Sequence, residues 1–167
     1  SIRMFRRSAI LWLTGLYLFA LVATPSLAAE RRVALVVGNA KYKESPLLNP
    51  VNDARDMAIA LGRLGFEIIE VLDASQKEMN RAIARFGERL SQDSVAMFYY
   101  GGHGLQVRGN NYLIPLDAQI TNELSIRVES VDVDSVLDQL SASDLSVLIL
   151  DACRNNPFER RFRGASG

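Results

Sequence analysis

Three apolar runs constrain this chain more than anything else in it. Val33-Ala34-Leu35-Val36-Val37, Val95-Ala96-Met97-Phe98-Tyr99-Tyr100 and Val147-Leu148-Ile149-Leu150 lack the apolar–polar alternation of a strand with one wet face. A strand that is apolar on successive residues is buried on both faces, the condition of a parallel strand covered by helices. Each run stops abruptly, in Gly38-Asn39, in Gly101-Gly102-His103-Gly104 and in Asp151-Ala152-Cys153. Sites in open parallel sheets lie past such carboxyl ends.

The segments between the runs read as helices. Asn49-Pro50 offers an N-cap with proline at the first helical position, Val51, Ala54, Ala58, Leu61 and Leu64 recur at helical spacing, and Gly65 closes the helix. Phe66 to Leu72 is a second strand. Ser75 and Glu78 form a capping box ahead of Met79, Ile83, Phe86 and Leu90 on one helical face. A third strand runs from Ser94 to Tyr100, followed by a glycine turn and a small hairpin that pairs Leu105–Arg108 with Tyr112–Pro115 around Gly109-Asn110-Asn111. Residues 117–131 carry no strong periodicity and read as loop with room for a short helix. Asp134 caps a helix bearing Val136, Leu137 and Leu140, and the last strand is Leu145 to Leu150. Strands alternating with helices imply right-handed crossovers and a mainly parallel α/β sheet with helices on both faces, in three layers.

The N-terminus has a different character. Arg3, Arg6 and Arg7 precede an apolar stretch from Ala9 to Ala23, then Pro25 and Ser26-Leu27-Ala28. This is the three-part pattern of a secretory signal, with an apolar region short for a spanning helix, so residues 1–28 are expected to be removed and 29–167 to form the exported domain. If uncleaved, the segment is a membrane anchor. The 19 basic residues lose three with it while all 19 acidic residues stay, so the remaining domain is about three charges negative. No basic tract survives to follow a phosphate backbone, which argues against nucleic acid. The C-terminal residues Arg163-Gly164-Ala165-Ser166-Gly167 read as a chain cut inside a loop.

The chemistry rests on one thiol and one imidazole. Cys153 is the only cysteine and His103 the only histidine, each just past an apolar run. A lone cysteine in an exported chain has no internal disulfide partner, which leaves a buried apolar residue, an intermolecular bridge or a reactive thiol. An ordinary thiol titrates near 8.5, so a neighbouring imidazole is needed to supply the thiolate at neutral pH. Backbone N–H groups at Gly104 and Cys153 are candidates to hold a developing oxyanion, and a backbone carbonyl suffices to orient the imidazole. Asp151 and Asp53 both fall at the carboxyl edge, where two converging carboxylates suit an Arg or Lys side chain. No cofactor pattern is present: the Gly38 turn is not followed by Gly-x-Gly-x-x-Gly or a phosphate-loop lysine, and no Asp-x-Asp-x-Asp-Gly spacing marks a metal loop.

Together, Val33 to Asn39, Leu48 to Asp53, Tyr99 to Gly104, Asn111 to Asp117 and Leu148 to Pro157 resemble the caspase-like cysteine peptidases, and within them the bacterial metacaspase-like branch. The resemblance implies a three-layer caspase-like fold lacking its C-terminal strands, with residues 29–167 as the large-subunit portion of the catalytic domain. It makes Cys153 the nucleophile and His103 the general base and acid. It makes Asp53 and Asp151 the pocket for a basic residue before the scissile bond of a protein or peptide substrate. Gly101 and Pro50 stand where that branch often carries Ser and Cys. Arg160, Arg161 and Arg163 lie where family members have a processing loop, and are candidate self-cleavage points. The implied missing partner is the C-terminal small-subunit portion. The competing expectation is a non-catalytic caspase-fold module that binds peptides or proteins.

Overall fold

The computed structural model describes residues 30–153. The expected signal segment 1–28 and the candidate self-cleavage points Arg160, Arg161 and Arg163 therefore lie outside the described residues. In chain order the elements are β1 (Arg32–Gly38), α1 (Pro50–Arg63), β2 (Glu67–Leu72), α2 (Gln76–Glu88), β3 (Val95–Val107), β4 (Asn110–Leu113), α3 (Glu123–Glu129), β5 (Val131–Asp132), α4 (Val133–Leu140) and β6 (Leu145–Cys153).

Parallel pairing sets the frame. β1 pairs with β2 on one side and β3 on the other, and β3 pairs in parallel with β6. The far end of β3 turns to antiparallel pairing with β4, and β4 with β5. β1 is central, which explains why Val33, Ala34, Leu35, Val36 and Val37 are all at most 1% exposed. Ala54, Ala58 and Leu61 of α1 cover one face of the sheet against Ala34, Val36 and Tyr99. Met79, Ala82, Ile83 and Phe86 of α2, with Val136 and Leu140 of α4, cover the other against Val33, Leu35, Val37, Phe98 and Tyr100. The three layers are those the alternating pattern implies. Among the described residues β6 has β3 as its only strand partner, and Leu145, Val147 and Leu150 along it are exposed.

Several local details differ from the sequence expectations. No turn breaks β3 at Gly101-Gly102; the strand continues through His103 to Val107. Close approach, rather than bending, requires glycine there: a Cβ on Gly102 would lie 2.5 Å from the Tyr100 hydroxyl and 2.8 Å from that of Tyr42. β6 likewise runs through Asp151 and Ala152 to Cys153 instead of stopping at Leu150. Both strands overrun β1, whose Gly38 is paired with Gly101, so His103 and Cys153 still lie beyond the end of the sheet's central strand. The hairpin turns at Arg108 and Gly109, both with positive φ (50° and 85°), which leaves Asn110 and Asn111 in β4. Asn49 makes no side-chain cap, because its backbone is already helical (φ −103°, ψ −23°) and its carbonyl receives the Asp53 N–H at 2.9 Å. Asp132, not Asp134, caps α4, its carboxylate accepting the Asp134 N–H at 2.9 Å. The capping box of Ser75 and Glu78 is formed, and in it the Ser75 N–H and hydroxyl hold the Glu78 carboxyl below its ordinary value.

Candidate active site

The β3–β6 register pairs Gly101 with Asp151, Gly102 with Ala152 and His103 with Cys153. Adjacent strands lie about 4.8 Å apart, so the sole histidine and sole cysteine sit on facing backbone positions of neighbouring strands. The Cys153 side chain is not among the described atoms. Gly104 faces Leu113 across the antiparallel ladder, and a Cβ added to it would lie 3.0 Å from that of Ala152.

His103 is 4% exposed and firmly held. Its Nε2 lies 2.7 Å from the Ser45 carbonyl oxygen, while Nδ1 is buried with no hydrogen-bond partner among the described residues. A carbonyl only accepts, so this contact makes Nε2 the protonated nitrogen of the neutral ring and leaves the lone pair on Nδ1. Ser45 belongs to the loop between β1 and α1 and has φ of 56°, a left-handed conformation. The loop is tied down at its start by Asp73, whose Oδ1 accepts the Ala40 and Lys41 N–H groups at 2.9 and 3.0 Å, and closed by Leu47 N–H donating to Ala40 at 2.8 Å. The sequence allows a backbone carbonyl at the imidazole without identifying which, since a carbonyl carries no residue signature.

The two aspartates expected at the carboxyl edge both lie near Tyr99. Asp53 in the first turn of α1 and Asp151 on β6 are both exposed, and both act on the Tyr99 hydroxyl from the α1 face of the sheet. Burial first, then the Asp151 and Asp53 charges, then the hydrogen bond to Asp151, push the Tyr99 phenol above its ordinary value. The phenol thus stays protonated and donates to the carboxylate. Gly101 and Pro50 adjoin the same spot: a Cβ on Gly101 would lie 3.3 Å from the Tyr99 hydroxyl and 3.5 Å from the Pro50 Cβ. Tyr99 was hidden within its apolar run, where it reads as one more core residue.

Comparison with known proteins places this geometry in context. Residues 31–166 match the Caspase domain family. Mucosa-associated lymphoid tissue lymphoma translocation protein 1 of Homo sapiens is 33% identical over 129 residues, as is its Mus musculus homolog. The match takes in 75% of this chain but spans only 15% of the length of those relatives. Among solved structures, a Geobacter sulfurreducens protein superposes with a TM-score of 0.54 at 18% identity, covering 72% of this chain and 48% of that one. The Drosophila initiator caspase Dronc superposes with a TM-score of 0.52 at 14% identity, covering 75% and 49%. At such identities these two likenesses speak for the fold.

Proposed function

We propose, on the premise that this chain belongs to the caspase-domain family, that it is a cysteine-type endopeptidase cutting protein or peptide substrates after Arg or Lys. Family membership supports cysteine-peptidase chemistry on protein substrates. One observation carries the finer reading: a buried imidazole with Nε2 given to a backbone carbonyl and Nδ1 without a partner among the described residues, on the strand position facing Cys153.

In this proposal Nδ1 of His103 takes the Cys153 proton, and the thiolate attacks the scissile carbonyl carbon. Backbone N–H groups at Gly104 and Cys153 hold the oxyanion. The imidazolium, its charge stabilised by the Ser45 carbonyl, then gives its proton to the leaving amine. Water, activated by His103, hydrolyses the acyl-enzyme and restores the thiol. Asp53 and Asp151 bind the basic side chain before the scissile bond, with Tyr99 orienting Asp151. The proposal extends to export through residues 1–28, to self-cleavage at Arg160, Arg161 or Arg163, and to a C-terminal small-subunit portion as partner.

A peptidyl-arginine chloromethyl ketone tests the assignment. Mass spectrometry should find the adduct on Cys153, formed much more slowly in His103→Ala and not formed with a peptidyl-aspartate reagent. Labelling by the aspartate reagent instead would contradict the pocket. Peptide binding without labelling or turnover, unchanged in Cys153→Ala, would make the chain a non-catalytic peptide-binding module.

A further inference from the structure

We infer that Tyr42, in the loop after β1, is a positioning residue that holds His103 in its working pose, an inference that rests on the peptidase reading above. Tyr42 is buried, and its hydroxyl meets three groups at once. It accepts the His103 N–H at 3.0 Å, donates to the Ile114 carbonyl at 2.9 Å, and lies 3.2 Å from the Tyr100 hydroxyl. Tyr100 completes the frame by donating to the His103 carbonyl at 2.7 Å. Both backbone polar groups of His103 therefore end on tyrosine hydroxyls.

The side chain is held as well. The Tyr42 ring packs on the imidazole with centroids 4.4 Å apart and planes tilted by 48°. Three residues further along, the same loop delivers the Ser45 carbonyl to Nε2. Burial pushes the Tyr42 phenol up to about 12, so it stays neutral and keeps the proton it gives to Ile114. Gly102 is the counterpart of this arrangement, because any side chain there would strike both hydroxyls. Packing alone would be served by phenylalanine at position 42. The hydroxyl's partners are instead the backbone N–H of the histidine itself and the carbonyl of the strand end beside it.

The chain has one histidine, so a two-bond 1H–15N correlation spectrum reads its tautomer without ambiguity. In the unsubstituted full chain the neutral ring should be protonated at Nε2 alone. Tyr42→Phe should give exchange-averaged shifts between the two tautomers and lower kcat by about tenfold to a hundredfold. KM should stay within about twofold, because the lost interaction acts on the transition state and not on substrate binding. Tyr112→Phe, a buried tyrosine of the same apolar cluster as Tyr42, should change none of these. A single tautomer and unchanged kcat in Tyr42→Phe would overturn the inference, as would an equal loss in Tyr112→Phe. If Tyr42→Phe does not fold, amide exchange in the unsubstituted chain decides. A His103 N–H as slow as the β3 core supports the clamp, and one as fast as the exposed Gln106 overturns it. The tautomer needs no turnover, so absence of peptidase activity remains a separate result.

Discussion

Replacing Asn39 by aspartate probes the junction that sets the end of β1, with almost no change of shape. Asn39 is 0% exposed. Its Oδ1 accepts the Ala74 N–H at 2.9 Å, and its Nδ2 donates to the Ile114 carbonyl at 3.4 Å and the Met79 sulfur at 3.5 Å. In Asn39→Asp one carboxyl oxygen keeps the Ala74 bond. The other faces the Ile114 carbonyl, acceptor against acceptor, unless it carries a proton. The ionised form is thus buried, stripped of water and repelled, while the protonated form restores the lost donor. Burial raises the folded-state pKa above the unfolded value of about 3.9. Stability relative to the parent is therefore highest at or below pH 4 and falls as pH rises to the folded pKa. An unsatisfied buried group costs about 1–3 kcal/mol and a charged one more, so the loss at pH 8 should be about 3 kcal/mol. At about 1.4 kcal/mol per pH unit, that loss accrues over roughly two units above pH 4. Urea unfolding followed by far-ultraviolet circular dichroism, on parent and variant at pH 4 and pH 8, separates this from the parent's own pH dependence. A loss at pH 8 below about 1 kcal/mol, or an equal loss at both pH values, would refute the reasoning.

Other consequences are equally direct. Gly38→Ala would set a Cβ 2.5 Å from the Pro50 carbonyl oxygen and 2.6 Å from the Ala54 Cβ, prying α1 from β1. It should cost about 1–3 kcal/mol in chemical denaturation. Tyr42, pushed up to about 12, and Tyr100, also pushed up by burial, keep their protons in the folded chain while the unfolded chain loses them near 10. Their stabilisation is complete below pH 10 and lost as pH rises through about 12, so Tm should fall over that window, less steeply in Tyr42→Phe. Asp53→Asn and Asp151→Asn should each raise KM for an arginyl substrate by about tenfold, the scale of one charge-assisted hydrogen bond at an exposed site. A neutral lysine analogue should be little affected by either change. Equal effects on charged and neutral substrates would remove both aspartates from the pocket.

Much of the frame was legible because its signals are local and strong. An unbroken apolar run announces a strand buried on both faces, and β1 is one. The Ser75–Glu78 box marks the start of α2 from its own residues. The ends of β3 and β6 were harder. Glycines, a histidine and an aspartate look like terminators, yet pairing partners from elsewhere in the chain carry both strands onward. The two residues of β5 are too short to leave a pattern, and they exist because β4 offers an edge. At the candidate site the positions of Asp53 in the first turn of α1 and of Asp151 opposite Gly101 follow from placing both at the carboxyl edge. The parts that hold His103 were illegible for different reasons: the Ser45 contact is a main-chain atom, and Tyr42 lies in a loop whose fold depends on Asp73, more than thirty residues away.

The central claim is tested most directly by turnover of fluorogenic peptides ending in Arg, Lys or Asp. The comparison is between this chain, its Cys153→Ala form and a version extended by the proposed C-terminal small-subunit portion. Cleavage after Arg and Lys that vanishes in Cys153→Ala, in this chain or in the extended one, is the expected result. Cleavage after Asp, cleavage that survives loss of Cys153, or silence in every form would contradict it.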